Sequence, residues 1–149
     1  MAVDVVTTID IARPRDEVAT YAADPENVTA WYVNIKRVEW KTEPVFAPGS
    51  RVAFVARFLG RELAYTNEVR ELEPGHRLVM RTDEGPFPME TTYTWEDADG
   101  GGTRMTLRNC GEPAGFSALV APFMATAMRR ANRKDLARLR DILEGRASA

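Results

Sequence analysis

Hydrophobic and polar residues alternate near the start of the chain. The alternating positions are Val3, Val5, Thr7, Ile9 and Ile11. A period of two over this length predicts a β-strand with one buried face, and Pro14 ends it. Pro14 also suits the first turn of a short helix. A second short helix is predicted from Asp24-Pro25-Glu26 to about Trp31, because aspartate caps helices and a proline after it already has helical φ.

The central part of the chain has the pattern of consecutive strands. Six extended segments are predicted, at about residues 35–43, 51–58, 62–72, 77–83, 89–96 and 103–110. Turn residues such as Glu73-Pro74-Gly75 and Gly100-Gly101-Gly102 separate them. Because the connections are short, the strands are expected to pair antiparallel as a meander. With the first strand, the sheet would have seven.

The hydrophobic period changes after Glu112-Pro113. Apolar residues then recur at three- and four-residue spacing as far as Leu143, which predicts a long amphipathic helix ending near Gly145. Pro122 allows two interpretations: the helix kinks there, or the main helix begins there with proline in its first turn. From Pro122 to Glu144 the helix would be roughly 34 Å long, enough to cross a sheet.

This order of elements resembles the START-like helix-grip (SRPBCC) superfamily, and within it the polyketide cyclase/dehydrase branch. The likeness covers nearly the whole chain. It rests on Asp24-Pro25-Glu26-Asn27 leading to Trp31, on Glu71-Leu72-Glu73-Pro74-Gly75, on Tyr93-Thr94-Trp95-Glu96 with Gly102-Thr103-Arg104-Met105-Thr106, and on Asp135-Leu136-Ala137-Arg138-Leu139.

The resemblance implies an α+β helix-grip fold in a single domain over residues 1–149. In this fold the long C-terminal helix packs across a curved, seven-stranded antiparallel sheet, and two short helices follow the first strand. The resemblance also implies a cavity between sheet and helix for an apolar or aromatic ligand.

Composition narrows the chemistry. The 149 residues include one cysteine, Cys110, and one histidine, His76, which exclude an internal disulfide framework, cysteine-rich zinc sites and sites with several imidazoles. No metal or other cofactor is expected. The formal net charge of −2 argues against a nucleic-acid partner. No secretory signal or membrane-spanning segment is recognised, so a cytoplasmic location without membrane insertion is expected.

Strand alternation predicts which side chains face the helix, and the family resemblance implies that these would line the cavity and bind its ligand. The set is Phe54, Phe58, Tyr65, Asn67, Met80, Thr91, Tyr93, Met105 and Asn109 from the strands, with Phe123 and Met124 from the helix. Large, polarizable side chains of this kind suit flat or hydrophobic ligands. Two alternatives stay open: the same residues fill a solid core, or the phase is wrong by one residue, which would turn Arg57, Glu68, Glu90 and Arg108 inward.

Two aromatic residues lie at predicted loop tips. Phe46 precedes Ala47-Pro48-Gly49, and Phe87 stands between Pro86 and Pro88. Both are expected at the cavity mouth, although packing onto the sheet edge is an equal alternative. A homodimer through a sheet edge or these loops also stays open.

Other chemically active residues favour structural interpretations. His76 follows Pro74-Gly75 and is expected in an exposed turn, and Cys110 is expected to be a buried structural thiol. Basic residues crowd the last helix at Arg129, Arg130, Arg133 and Lys134. A solvated helix face is the favoured explanation, with an anionic partner or a membrane surface as the alternatives.

Three functions are compatible with these observations. The leading hypothesis is binding of a small hydrophobic or aromatic molecule, such as a lipid, isoprenoid or polyketide, in the cavity. The second is a cyclase/dehydratase-type enzyme without metal that uses Tyr65, Asn67 or Asn109, since no inward carboxylate or histidine is predicted. The third is a protein-interaction module resembling the Hsp90-activator branch, which the residues themselves do not favour.

Overall fold

The computed structural model describes residues 3–58, 60–84, 88–111 and 121–145. Its strands are β1 (Val3–Ile11), β2 (Ile35–Trp40), β3 (Arg51–Phe58), β4 (Arg61–Glu73), β5 (Arg77–Glu84), β6 (Met89–Asp97) and β7 (Thr103–Gly111). Its helices are α1 (Arg15–Ala23), α2 (Val28–Trp31) and α3 (Ala121–Leu143), and a 3-10 turn at Pro25–Asn27 joins α1 to α2. The predicted elements and their order are confirmed.

All seven strands form one antiparallel sheet, in the order β1-β7-β6-β5-β4-β3-β2. The meander therefore runs from β2 to β7, and β1 pairs with β7 along Val3–Ile11. The register shifts between Ile35 and Arg37 in β2 and at two places in β4. Such irregularities increase local twist and bend strands, which helps this sheet to curve around α3.

Helix boundaries follow the sequence signals. The Asp24 side chain accepts a hydrogen bond from the backbone N–H of Glu26 at 2.9 Å, so the predicted cap is confirmed. The helix α3 begins at Ala121, which puts Pro122 in its first turn, where the N–H that proline lacks would have no intrahelical partner. Among the two interpretations of Pro122, the main helix beginning there is correct. The earlier apolar positions, Phe116, Leu119 and Val120, lie outside the described residues.

The core lies between the concave side of the sheet and the helices. Its fully buried side chains include Trp31 of α2, Trp95 of β6, Leu107 of β7 and Leu139 of α3. The predicted inward direction is confirmed, since Phe54 and Tyr93 are buried while Arg108 is exposed. The alternative phase is therefore wrong.

The outer face of β1 and β7 carries ion pairs. Arg108 donates to Asp4 at 2.7 Å, and Arg104 donates to Asp10 at 2.9 Å. Opposite charges on neighbouring strands are expected on the solvent side of a half-buried sheet. Within the described residues, no helix is both long enough and apolar enough to cross a membrane.

Candidate ligand-binding cavity

A cavity separates part of the sheet from α2 and α3. Its volume, taken as the space open to the centre of a water molecule, is about 160 Å³. An apolar cavity of about this size holds one benzene ring in an engineered protein. Eight predicted residues lie on its described wall: Phe54, Tyr65, Asn67, Met80, Thr91, Tyr93, Asn109 and, from the loop before β3, Phe46.

Three predicted residues do not lie on that wall. Met105 is fully buried in the main core beside Trp95, and Met124 packs against Val3 and Val5 of β1. Phe123 is 76% exposed, because consecutive residues on a helix point about 100° apart and Met124 takes the inward direction. The expectation that these three face the cavity is therefore corrected. The Phe58 side chain and Phe87 lie outside the described residues.

Phe46 fits both of its predicted roles. It lines the cavity, and its ring also meets Trp40 of β2 edge to face, with centroids 6.3 Å apart. Packing onto the sheet edge and bordering the cavity are thus compatible for this residue.

A wall of the cavity consists of three tyrosines. The hydroxyls of Tyr32 and Tyr93 are 2.6 Å apart and share a hydrogen bond. Tyr65 stacks on Phe54 with ring centroids 5.5 Å apart. Burial raises the pKa of all three phenols, and the nearby Asp135 charge raises each further, while the bond from Tyr32 partly offsets the rise for Tyr93. The phenols therefore stay protonated and can donate hydrogen bonds.

Two asparagines on the sheet side of the cavity have partners. Thr91 donates its hydroxyl to Asn109 Oδ1 at 2.8 Å. Thr82 donates similarly to Asn67 Oδ1 at 3.3 Å. Each pair joins neighbouring strands, so these polar groups satisfy one another across the sheet.

The helix contributes a buried carboxyl group, Asp135, to the cavity wall. The side chain is 3% exposed, and its Oδ1 accepts a hydrogen bond from the backbone N–H of Val33 at 2.9 Å. Burial raises the pKa of the Asp135 carboxyl from 3.8 to about 7, although the Val33 bond opposes the rise. This group can therefore hold or release a proton near neutral pH.

A second helix residue, Asn132, lies on the same wall. It is 5% exposed, and its amide nitrogen has no hydrogen-bond partner among the described residues. A buried amide donor without a partner costs on the order of 1–3 kcal/mol. Asn67 and Asn109 differ from it, because neither is among the described residues that have a buried side-chain nitrogen without a partner.

Sequence reasoning missed Asp135, Asn132 and Tyr32. A signal for the carboxylate existed, since Asp135 is four residues after Ala131 and four before Leu139 on the apolar stripe of α3. The expectation of no inward carboxylate is therefore wrong. Tyr32 directly follows the end of α2, where no periodicity indicates direction.

The remaining candidates lie elsewhere. His76 is exposed in the turn between β4 and β5, as predicted. Cys110 is a free thiol that is half-buried rather than buried. Gly100 and Gly101 adopt positive φ in the connection from β6 to β7, which agrees with a hairpin turn. In the described parts of the chain, no group of three or more His, Cys, Asp or Glu side chains is arranged to hold a metal.

Solved structures share this fold over nearly the whole chain. The protein TTHA0849 from Thermus thermophilus superposes with a TM-score of 0.83 at 21% identity, covering 97% of this chain and 99% of its own. The Zhui aromatase/cyclase from Streptomyces sp. R1128 superposes with a TM-score of 0.82 at 19% identity, covering 100% and 98%. Ara h 8.0201 is also similar, with a TM-score of 0.74, 12% identity and coverage of 97% and 99%.

Family-level sequence comparison gives the same answer as the fold. Among curated protein sequences, none matches this chain significantly. The model of one family, described as polyketide cyclase / dehydrase and lipid transport, matches residues 2–144. The helix-grip fold, the sheet–helix cavity and this match lead to one conclusion: the chain belongs to the polyketide cyclase/dehydrase and lipid transport family.

Proposed function

We propose that this protein binds a small, mainly apolar molecule in the cavity between the sheet and α3. The observation that carries the proposal is an internal space of about 160 Å³ bordered by Phe54, Tyr65 and Met80, with the polar groups confined to a few positions. Aromatic, isoprenoid and polyketide-like molecules have the matching polarity, and one ring or a short chain of such a molecule matches the volume. The family description and the likeness to an aromatase/cyclase support this ligand class.

Burial of apolar surface supplies the driving force. A single aromatic ring with a short substituent buries about 150 Å², which at about 25 cal/mol per Å² corresponds to about 4 kcal/mol. That free energy corresponds to a millimolar Kd. Tighter binding of a natural ligand requires more rings or polar contacts in addition.

A one-ring probe tests the proposal directly. Ethylbenzene is titrated against the protein by ligand-observed NMR, with saturable binding as the expected result. In Ala131→Phe, a new ring on α3 fills the cavity, and binding should fall at least tenfold. Ala64→Phe is the matched control, because Ala64 is exposed on β4 and away from the described cavity wall.

The outcome is decided by the difference between these two variants. If neither the unaltered protein nor Ala64→Phe binds ethylbenzene, the cavity is not a ligand site for such molecules. Equal binding by Ala131→Phe would place the probe elsewhere. Native mass spectrometry of the purified protein, followed by solvent extraction, then identifies any ligand carried from the cell.

An enzymatic role is the second candidate, and Asp135 is the observation that favours it. A carboxyl group with a pKa of about 7, beside tyrosines that can donate hydrogen bonds, suits proton transfer during cyclisation or dehydration of a bound chain. Asp135→Asn and Tyr65→Phe should both reduce turnover of an aromatic polyketide precursor while ethylbenzene binding is retained. Unchanged turnover in both variants would exclude these assignments.

The other expectations stay predictions. These are the cytoplasmic location, the absence of a nucleic-acid partner, the open question of a homodimer and the interaction-module alternative. Size-exclusion chromatography with light scattering addresses the oligomeric state. A pull-down that recovers a chaperone while ethylbenzene fails to bind would favour the interaction module.

A further inference from the structure

The three asparagines on the cavity wall are not equivalent. Asn67 and Asn109 accept hydrogen bonds from Thr82 and Thr91 on adjacent strands, so their carbonyl oxygens are satisfied within the sheet. Asn132 projects from α3 on the opposite side of the cavity. Its amide nitrogen is buried and donates to no atom of the described residues. The α3 wall of the cavity thus carries a hydrogen-bond donor without a partner among the described residues.

A ligand would reach this donor only if the side chain turned, because the amide nitrogen itself is buried. The terminal torsion of asparagine has a broad energy profile, so the amide plane can turn about the Cβ–Cγ bond without leaving its rotamer. The backbone of α3 holds the Cβ in place on the cavity wall. A ligand oxygen reaching this wall would satisfy a group that is otherwise desolvated without compensation.

We infer that Asn132 is a specificity-determining residue. It selects ligands that carry a neutral carbonyl oxygen at the end that faces α3. The inference rests on the proposed function and names its ligand class more closely. An acceptor is required because the unused group is an N–H donor. A carbonyl oxygen fits best because it accepts in the plane of a flat, conjugated ligand and adds little bulk.

The surroundings disfavour an anionic acceptor. Asp135 lies one turn further along α3, and its negative charge would repel a bound carboxylate. Tyr32, Tyr65 and Tyr93 are neutral donors and supply no positive charge. Arg57 is the cationic side chain on the described wall, and it is exposed, so its charge is largely hydrated. Burying an unpaired carboxylate here would be costly.

Three probes of nearly the same shape test the inference at pH 8. Ethylbenzene has no acceptor, acetophenone has a neutral carbonyl oxygen, and benzoate has an anionic one. Each is titrated by ligand-observed NMR against the unaltered protein. Acetophenone is expected to bind roughly five- to tenfold more tightly than ethylbenzene, and benzoate more weakly than acetophenone.

Variants then assign the preference to one residue. Asn132→Leu keeps the branched shape and the number of non-hydrogen atoms of asparagine but lacks the donor, so the preference for acetophenone over ethylbenzene should disappear. Lys134→Leu is the control, because Lys134 is exposed on the same helix and lies away from the described cavity wall, so this variant should keep the preference. Asn132→Ala is a second test if the leucine variant unfolds at a lower temperature.

Each outcome is decisive. If none of the probes binds, the proposed function fails and not merely its refinement. If ethylbenzene and acetophenone bind equally to the unaltered protein, the cavity is a ligand site but the donor is not used, and the inference is overturned. A preference that persists in both Asn132 variants, or that disappears in Lys134→Leu, also overturns it. Tighter binding of benzoate than of acetophenone overturns the preference for a neutral ligand.

Discussion

Replacing Asp135 by asparagine should stabilise the protein by an amount that grows with pH. In the folded protein, burial raises the pKa of the Asp135 carboxyl from 3.8 to about 7. The folded state therefore binds a proton more tightly than the unfolded state does. Between these two pKa values stability falls as pH rises, and the loss is complete above about pH 7. Asparagine keeps an oxygen for the Val33 N–H without any ionisation.

The magnitude follows from the two pKa values. Each pKa unit corresponds to about 1.4 kcal/mol of stability. At pH 8 the whole interval between the two pKa values counts, and the ionised Asp135 lowers the free energy of unfolding by about 4 kcal/mol. At pH 5 only the part of the interval between 3.8 and 5 counts, which corresponds to about 1.5 kcal/mol. Because the residue is 3% exposed, solvent screening reduces this figure little. The expected gain for Asp135→Asn is thus about 2.5 kcal/mol larger at pH 8 than at pH 5.

Urea unfolding of both proteins at pH 5 and pH 8 measures this difference. Other titrating groups are common to the two proteins and cancel in the comparison. Asp135→Leu is the matched control: it removes the charge but also leaves the Val33 N–H without its acceptor, and should be about 1–3 kcal/mol less stable than Asp135→Asn at both pH values. A stability difference between the unaltered protein and Asp135→Asn that stays constant with pH would refute the reasoning.

Two further predictions concern buried hydroxyl groups. Thr103 is fully buried, and its hydroxyl donates to the backbone carbonyl of Arg13 at 2.7 Å. Thr103→Val should therefore lower the free energy of unfolding, measured with urea, by about 1–2 kcal/mol. As the control, Thr8→Val on the exposed side of β1 should change it by less than about 0.5 kcal/mol. Tyr32→Phe and Tyr93→Phe, alone and combined, form a double-mutant cycle that urea unfolding can measure. The coupling energy should be about 0.5–1.5 kcal/mol, because either change alone removes the hydrogen bond between the two hydroxyls. Additive effects would mean that this hydrogen bond contributes nothing to stability.

The strands of the sheet, and which of their side chains face inward, were predictable because both depend on local sequence patterns. Period-two alternation and short turns determine where strands begin and end. Because one face of the sheet is exposed to solvent, the apolar residues of each strand must lie on the other face over most of its length. The long helix was equally clear, apart from its start, where Pro122 allowed two interpretations. Phe123 and Met124 show the limit of such reasoning. Both are apolar and adjacent, and only the position of β1 decides that Met124 is buried.

The polar part of the cavity was much less predictable. Tyr65, Asn67 and Tyr93 were found because they interrupt apolar stripes on strands, where direction alternates strictly. Asp135 and Asn132 occupy a helix rich in charged residues, so their burial was not evident from composition. Their inward direction depends on how α3 is rotated against the sheet, which contacts distant in sequence determine.

By itself, the sequence determined the element order, the antiparallel sheet, the inward phase of its strands and the family, because these depend on local periodicity and turn chemistry. Only the tertiary structure decided which inward residues border a space and which fill the core. It also brought a buried carboxyl group on α3 close to Tyr32, which follows α2, and to the tyrosines of the sheet. Among the described residues, it left one buried side-chain amide donor without a partner. Those features depend on the rotation and separation of elements far apart in the chain, where small displacements decide whether side chains meet or leave a cavity.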